Sequence, residues 1–473
     1  MQVMSLPRKP LMQINITDLY YALSMALDAI EGELLKTTVG HGKRVAYLSF
    51  RMLQETGVPA SDLADFVGVA LLHDNALSEY AREERGMAVH RQSDGSASVS
   101  PLTPSEIRAD NACHCIVGER NISLLPFNSD VKDIVLQHHE LASGKGPLGL
   151  TPERTNFRAQ LVHLGDILDR VFDLRHVDLE KAGRIQDFIR RNEGKLFGTE
   201  VVDLFFHSIS PDLLLDMCSH GAEELLRQEV PACIRDYTRE QVEGIAEFFA
   251  RIVDYKSAFT MRHSLGVAEK AQVMARHYSW DEDKVLRFYL AGALHDVGKT
   301  MVPTGILEKP DRLTDEEFSR MKDHAAATRY VLSRISGFED ICEWASNHHE
   351  KLDGSGYSQG LMARDLSFED RLMACADVYQ ALTEKRPYKD GLSHPKAIAL
   401  MRNMAKDGKI DVDIVEDMGK VFDDGSQVEA SELQKNGKTL WKCPVCGFIY
   451  EGPEPPATCP ICGAKGYRFL PME

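Results

Sequence analysis

No apolar run in this chain approaches the roughly 20 residues that a membrane-crossing helix needs. Basic residues stand at positions 8 and 9, but no long apolar segment or small-residue cleavage site follows them, so a secretory signal is not expected. Positive charge is scarce: 55 Lys and Arg against 72 Asp and Glu leave a formal charge of −17. That excludes a general binder of polymeric nucleic acid, which needs clustered cations. It leaves room for a small phosphorylated substrate, because a bound metal can dominate the local field. A disulfide framework is lacking as well. Of ten cysteines, four form two C-x-x-C pairs near the end and six are scattered, a distribution that fits a reducing cytoplasm and one metal site. The scattered six read as small buried hydrophobes. Alternating strand patterns are missing from everything before the C-terminal cysteine region.

What the chain does contain is helix. From Asp281 to Val297, Val285, Tyr289 and Ala293 recur four apart with Leu286, Leu290 and Leu294 alongside, the broad apolar face of a buried helix. Thr314 with Glu317 forms a capping box. Thr151, Pro152 and Glu153 read as another helix start, with proline in the first turn. A length of 473 residues suggests about three domains.

The chain also repeats itself. His73-Asp74 recurs as His295-Asp296, and His41 recurs as His263, both 222 residues on. His114 recurs as His324 and His138-His139-Glu140 as His348-His349-Glu350, now 210 residues on. Asp166 recurs as Asp377. The first copy thus holds about twelve extra residues between its His-Asp pair and its next histidine, placed near Gln92 to Pro101 in a loop-like stretch. Each copy ends in an acidic-Gly-Lys turn, Glu193-Gly194-Lys195 and Asp407-Gly408-Lys409. The expected domains are 1–238, 239–424, a polar linker over 425–438, and a small module over 439–473. A lone histidine is usually a satisfied core residue, but that reading does not account for ten of seventeen histidines recurring in order. Imidazoles and carboxylates together suit iron, manganese, zinc or nickel, and five histidines with two aspartates suffice for a binuclear site.

Residues 257 to 390 resemble the HD-GYP group of the HD phosphohydrolase superfamily. The resemblance is carried by His263-Ser264, the run Leu294 to Lys299, Met321-Lys322 with His324, the run His348 to Tyr357, and the run Ala376 to Tyr388. It implies a mainly α protein of two tandem HD-type helical domains. It also implies His263, His295, Asp296, His324, His348, His349 and Asp377 as ligands of two divalent ions, iron or manganese first, with Asp296 between them. A water activated by the two cations would attack phosphorus in line. Lys299 resembles the family lysine facing the scissile phosphate, so Asp296 and Lys299 are the expected catalytic pair. Gly356, Tyr357, Arg386 and Lys389 are the implied substrate contacts: arginine offers a planar fork for phosphate and tyrosine a face for a base.

Two departures stand out. The motif reads Gly356-Tyr357-Ser358 instead of Gly-Tyr-Pro, and Phe259 stands where some members carry a glutamate for a third metal. Two ions are therefore expected. The implied activity is hydrolysis of a cyclic dinucleotide, cyclic di-GMP first. The first copy keeps His41, His73, Asp74, His114, His138, His139 and Asp166, enough for a second pair of ions, and Arg175 holds the place of Arg386. Yet Leu77, Ser143 and Pro147 replace Lys299, Asp353 and Tyr357, which reads as a metal-binding but catalytically weak or regulatory copy.

Near the C-terminus, Cys443, Cys446, Cys459 and Cys462 form two C-x-x-C-Gly knuckles, a closed tetrahedral site for iron or zinc. With Trp441, Tyr450, the segment Pro453 to Pro456 and Phe469, the module resembles the rubredoxin-like tail of rubrerythrins, a β/knuckle fold. That implies one iron cycling between two oxidation states and an electron-transfer partner. Fusion to a binuclear centre suggests redox regulation in a cytoplasmic protein. Two other readings belong to different classes: a non-hydrolytic nucleotide or redox sensor, which suits the first copy, and a di-iron oxidase on an HD fold, which would consume oxygen without cleaving esters.

Overall fold

Helices begin where a short polar side chain can take up free amides at their first turn. Asp178, Ser210, Asp281 and Asp411 each accept such a bond, and Thr314/Glu317 and Ser367/Asp370 form reciprocal capping boxes. The computed structural model describes residues 11–34, 39–76, 104–256, 261–309, 312–384, 391–423, 439–442, 449–452 and 470–472. The first half contains α1 (Ile16–Leu34), α2 (His41–Gln54), α3 (Ala60–Leu71), α4 (Pro104–Ile122), α5 (Ile134–Gln137), α6 (Phe157–Phe172), α7 (Leu179–Arg191), α8 (Thr199–Ser208), α9 (Pro211–His220) and α10 (Ala222–Glu229). The second contains α11 (Arg239–Lys256), α12 (Met261–His277), α13 (Glu282–Leu294), α14 (Thr304–Leu307), α15 (Asp315–Leu332), α16 (Glu339–Ser346), α17 (Phe368–Thr383), α18 (His394–Lys406) and α19 (Val412–Val421). Between α13 and α14 lies a 3₁₀ turn, Val297–Met301.

The order of α1 to α8 is that of α11 to α13 followed by α15 to α19, so the sequence repeat is a structural repeat. In each half the helix opening on the first histidine packs on two others: α2 on α3 and α6, α12 on α13 and α17. The acidic-Gly-Lys turns correspond too, with Gly194 and Gly408 at φ of 69° and 72°, a left-handed conformation that favours glycine. One continuous apolar core runs from Met12 to Met418 through both halves. Helix α1 packs against the Val297–Met301 turn of the second half, and Glu33 Oε1 accepts the Thr304 amide at 2.7 Å. Asp18 Oδ2 accepts the Ser336 hydroxyl at 2.7 Å, and Arg251 donates to Asn121 at 2.8 Å.

Two sequence expectations meet a different outcome. The sequence before the cysteine module reads as almost wholly helical with no alternating strands, yet β1 (Met12–Asn15) pairs antiparallel with β2 (Ile234–Tyr237). Each strand is four residues long and the partners lie between 219 (Asn15 to Ile234) and 225 (Met12 to Tyr237) residues apart, so no local alternation announces the pair. Thr151 does not open an α-helix: Pro152–Arg154 is a 3₁₀ turn, and α6 begins at Phe157, where Asn156 accepts the Arg158 amide. The loop placed near Gln92 to Pro101 lies outside the described residues. In the C-terminal module β3 (Thr439–Lys442) pairs with both β4 (Ile449–Gly452) and β5 (Leu470–Met472), while its four cysteines also lie outside the described residues.

The turn that carries Lys299 owes its position to one glycine. A Cβ on Gly298 would stand 2.0 Å from the His324 carbonyl oxygen and 2.5 Å from the Thr328 nitrogen, both on the backbone of α15. Thr328 Oγ1 there accepts the Gly298 amide at 3.0 Å and donates to the His295 carbonyl at 2.9 Å. Gly298→Ala is therefore expected to destabilise the fold by about 2–3 kcal/mol, read from urea unfolding. An unchanged midpoint would show that the turn is not held this tightly.

Candidate metal centres

In the second half the ligand candidates come from six elements. His263 lies in the first turn of α12, His295 caps the end of α13, and Asp296 begins the 3₁₀ turn. His324 lies mid-helix on α15, His348 and His349 follow α16, and Asp377 lies on α17. Three rings are fixed the same way. The Nδ1 atoms of His295, His324 and His348 lie 2.7, 2.6 and 2.6 Å from the carbonyls of Gly292, Met321 and Ala345. Donation from Nδ1 leaves each Nε2 as a lone pair facing inward. His324 Nε2 and His348 Nε2 are then 3.4 Å apart with no proton between them. Two buried lone pairs at this separation repel, and a cation between them converts repulsion to ligation.

Both aspartates serve two sides. Asp296 Oδ2 lies 3.1 Å from His295 Nε2 and 2.5 Å from Lys299 Nζ, while its Oδ1 lies 3.5 Å from His324 Nε2. Asp377 Oδ1 is 3.0 Å from His263 Nε2, and its Oδ2 is 3.7 Å from His349 Nδ1. Two clusters result, His263/His295/Asp296 and His324/His348/His349, each with ligand atoms within 4.8 Å of one another. His295 Nε2 and Asp296 Oδ1 are buried without a hydrogen-bond partner. This donor set fits two divalent ions.

Electrostatics agree. Burial and the neighbouring His349 and His295 push the His348 imidazolium far down, and burial takes His349 to about 3, so both rings are neutral at physiological pH. Burial alone would raise Asp296, but His295 and Lys299 hold its carboxyl well below the usual range. The centre is open on one side, where the side chains of His349 and Lys299 are 25% and 21% exposed. Tyr357 stacks obliquely over His349, with ring centroids 4.7 Å apart.

Of the expected substrate contacts, Tyr357 stands beside the metal cluster, whereas Arg386 and Lys389 lie outside the described residues, as do Phe259 and Leu77. Gly356 has a packing duty: a Cβ there would meet the Glu350 Cα at 2.5 Å. Two residues went without a role in the sequence reading. Glu350 gathers the amides of Gln359, Gly360 and Leu361 at 2.7–3.2 Å and so closes the Gly-Tyr loop. Its recurrence as Glu140 was the available signal, and Glu140 binds the Leu148 and Leu150 amides likewise. Glu384 lies 3.1 Å from His263 Nδ1 and orients that ring, as Asp169 does for His41 in the first half from a different place in the repeat.

The first half gathers its seven candidates in the same arrangement. His73 and His138 direct Nδ1 to the carbonyls of Ala70 and Val135 at 2.8 and 2.6 Å, and His114 Nε2 lies 3.5 Å from His138 Nε2. His41 Nε2 is 3.1 Å from Asp166, and its Nδ1 is 2.7 Å from Asp169, which also binds Arg44. There are two differences. Arg170 reaches Asp166 at 2.5 Å and Asp74 at 2.9 Å. The side chain of His139 is only 7% exposed. Arg175 is paired with Asp173 at 2.7 Å, and its counterpart Arg386 lies outside the described residues. Of the scattered cysteines, Cys115, Cys342 and Cys375 are buried and Cys113, Cys218 and Cys233 half-buried, and the Cys115 Sγ lies 3.6 Å from His138 Nδ1.

Comparison with known proteins agrees with this geometry. The profile of the HD domain family matches residues 245–414, and that of the rubrerythrin rubredoxin-like domain matches residues 441–469. The 3'3'-cGAMP-specific phosphodiesterase 1 of Vibrio cholerae is 28% identical over 84% of this chain and 90% of its own length. A cyclic di-GMP phosphodiesterase of Pseudomonas aeruginosa is 39% identical over 30% of this chain and 35% of its own. The crystal structure of a cyclic GMP-AMP specific phosphodiesterase of V. cholerae superposes with a TM-score of 0.59 at 21% identity, covering 87% of this chain and 98% of that one; this is a likeness of fold.

If Glu384 acts by orienting His263, Glu384→Gln should weaken metal binding about tenfold while leaving the fold intact. Competition with a chromophoric chelator measures it. An unchanged affinity would assign Glu384 no part in the centre.

Proposed function

We propose, from the premise that this chain is an HD-GYP-type phosphohydrolase with a rubrerythrin-type rubredoxin-like tail, that its second half opens a phosphodiester bond of 3'3'-cGAMP. The observation that carries hydrolysis is the convergence of inward-facing imidazoles on Asp296 and Asp377, with Lys299 on the open side. In this reading His263, His295, Asp296, His324, His348, His349 and Asp377 hold two divalent ions, iron or manganese. Such ions, when bound, supply the activated water and much of the charge compensation that phosphodiester cleavage needs. The residues do the rest. Lys299, 2.5 Å from Asp296, keeps a positive charge beside the scissile phosphate as charge builds on the departing oxygen. Tyr357 presents a face on which a base can stack, and the family resemblance assigns phosphate binding to Arg386 and Lys389, which lie outside the described residues.

The sequence reading put cyclic di-GMP first. The order is changed here because the similarity to a 3'3'-cGAMP-specific enzyme spans both halves, whereas the cyclic di-GMP enzyme of P. aeruginosa matches 30% of the chain. That shorter match is the higher in identity, at 39%, and keeps cyclic di-GMP as the second reading. The domains are assigned as 1–238, 239–424 and 439–473 around a linker. The tail is proposed to hold one iron through Cys443, Cys446, Cys459 and Cys462, and to set the oxidation state of the hydrolytic centre by single-electron transfer.

Anaerobically purified, metal-loaded protein is expected to convert 3'3'-cGAMP to a linear dinucleotide faster than cyclic di-GMP. Asp296→Ala should abolish turnover and Lys299→Ala should lower kcat by about 10²–10³ with metal content unchanged. Chromatography of the products decides it. Equal loss of metal in Lys299→Ala would remove its catalytic role, and oxygen uptake without ester cleavage would replace the hydrolase with the oxidase reading. For the tail, Cys443→Ser with Cys459→Ser should abolish the difference in rate between reducing and oxidising conditions. A difference that persists would dissociate the tail from catalysis.

A further inference from the structure

The two halves differ at one position inside an otherwise repeated ligand cluster. In the second half His324 is followed by Ala325; at the matching place in the first half His114 is followed by Cys115. Cys115 is 1% exposed. Its Sγ lies 3.8 Å from His114 Nε2 and 3.6 Å from the His138 ring nitrogen that faces Val135. His114, Cys115, His138 and His139 together place four ligand atoms within 4.8 Å of one another, all from buried residues. Ordinary zinc bond lengths imply tetrahedral edges of about 3.4 Å between nitrogens and about 3.6 Å from nitrogen to sulfur. The 3.5 Å separation of His114 Nε2 and His138 Nε2 and the 3.8 Å from Cys115 Sγ to His114 Nε2 lie close to those edges, while His138 keeps its Nδ1 on the Val135 carbonyl. A second observation points to a ligand independently: His139 Nε2 is buried without a hydrogen-bond partner.

The neighbouring half-site differs in the opposite sense. There Arg170 spans Asp166 and Asp74, the two carboxylates that correspond to Asp377 and Asp296. The equivalent residue of the second half is the exposed Ala381. One half-site of the first copy therefore gains an anionic soft ligand, while the other already holds a fixed cation among its carboxylates. We infer that the first half binds a single thiolate-ligated ion through His114, Cys115, His138 and His139, with the Arg170 guanidinium as counter-ion where a second ion would lie. A set of three imidazoles and one thiolate takes a borderline ion such as zinc or ferrous iron. Every position is then filled by protein, the mark of a structural centre and not of one that keeps a place for substrate. The inference does not depend on which ester the second half cleaves.

Cobalt(II) is the probe. Sulfur bound to cobalt gives a near-ultraviolet charge-transfer band that imidazole and carboxylate ligands do not. The tail would contribute the same band, so the full chain is used with Cys443, Cys446, Cys459 and Cys462 all changed to Ser. Loaded anaerobically, this protein is expected to show the band at the intensity of one sulfur ligand. Cys115→Ser and Cys115→Ala, the latter installing what the second half has, should abolish it and leave the visible ligand-field bands of the second half. Cys342→Ala, which changes a cysteine bonded to the Arg329 carbonyl, should leave the band in place. Absence of the band in the parent, or its persistence in either Cys115 variant, overturns the thiolate assignment. Arg170→Ala should raise bound cobalt by one ion per chain, and unchanged content would overturn the counter-ion role.

Discussion

Neutral imidazoles that face one another across 3.4 Å set the terms for the second half of this protein. A histidine free to rotate would turn its lone pair toward a donor, yet here the carbonyls of Gly292, Met321 and Ala345 each take the Nδ1 proton and deny that escape. Each carbonyl stands three residues before its histidine, Gly292 and Ala345 in the last turns of α13 and α16 and Met321 within α15, so the lock is built into the local backbone. Burial then forbids protonation of His348 and His349. With Asp296 and Asp377 also buried, the cheapest partner for the whole set is a multivalent cation. The caps support the lock. Asp370, which caps α17, accepts Asn347 at 3.1 Å, and Arg329 donates to Asn347 at 2.9 Å, so the helix carrying Asp377 is tied to the residue before His348.

Duplication gave the scaffold two such sets, and the differences between them lie in what neutralises the carboxylates. In the second half Lys299 contacts Asp296 from a short turn and is partly exposed. In the first half Arg170 contacts both aspartates from α6. A lysine on one carboxylate leaves the second free for an ion, whereas a guanidinium fork satisfies two oxygens at once. The halves are mechanically joined as well. Helix α1 lies on the very turn that carries Lys299, and its Glu33 holds the Thr304 amide just beyond it. The first half thus acts as a buttress for the turn that carries Lys299, whatever it binds.

The candidate ligand set was legible because metal chemistry restricts residue type: His-Asp and His-His pairs survive in both copies and can be matched by eye. All seven residues of each set converge in space. Residues that position ligands were harder to see. Arg170 has no counterpart in the second half, the carboxylate that orients the first histidine comes from a different place in each copy (Asp169 for His41, Glu384 for His263), and an acidic or basic residue on a helix ordinarily means solvent. Cys115 was read as packing because a single cysteine carries no spacing. Helix starts were legible where the cap and its reciprocal partner both lie in sequence, as at Thr314 and Glu317. They were not legible where proline misled, as at Thr151, because proline fits the first turn of a 3₁₀ segment equally well. The β1–β2 ribbon was invisible for a simpler reason: its register is set by the fold that brings Met12 to Tyr237, not by either strand.

Charge gives the last constraint. A chain of net charge −17 repels an anionic dinucleotide at long range, so attraction must arise locally. At physiological ionic strength the Debye length is about 8 Å, and charges farther from the centre than that are largely screened. Within that radius the balance reverses. Asp296 is compensated by Lys299, and two divalent ions would turn the basin positive on its open side. The same reasoning separates the halves. In the first, Arg170 and the 7% exposure of the His139 side chain leave neither an open face nor an excess of positive charge for a phosphate to find. Two copies of one ligand set can therefore do different work, and the difference follows from which cation each carboxylate pair already has.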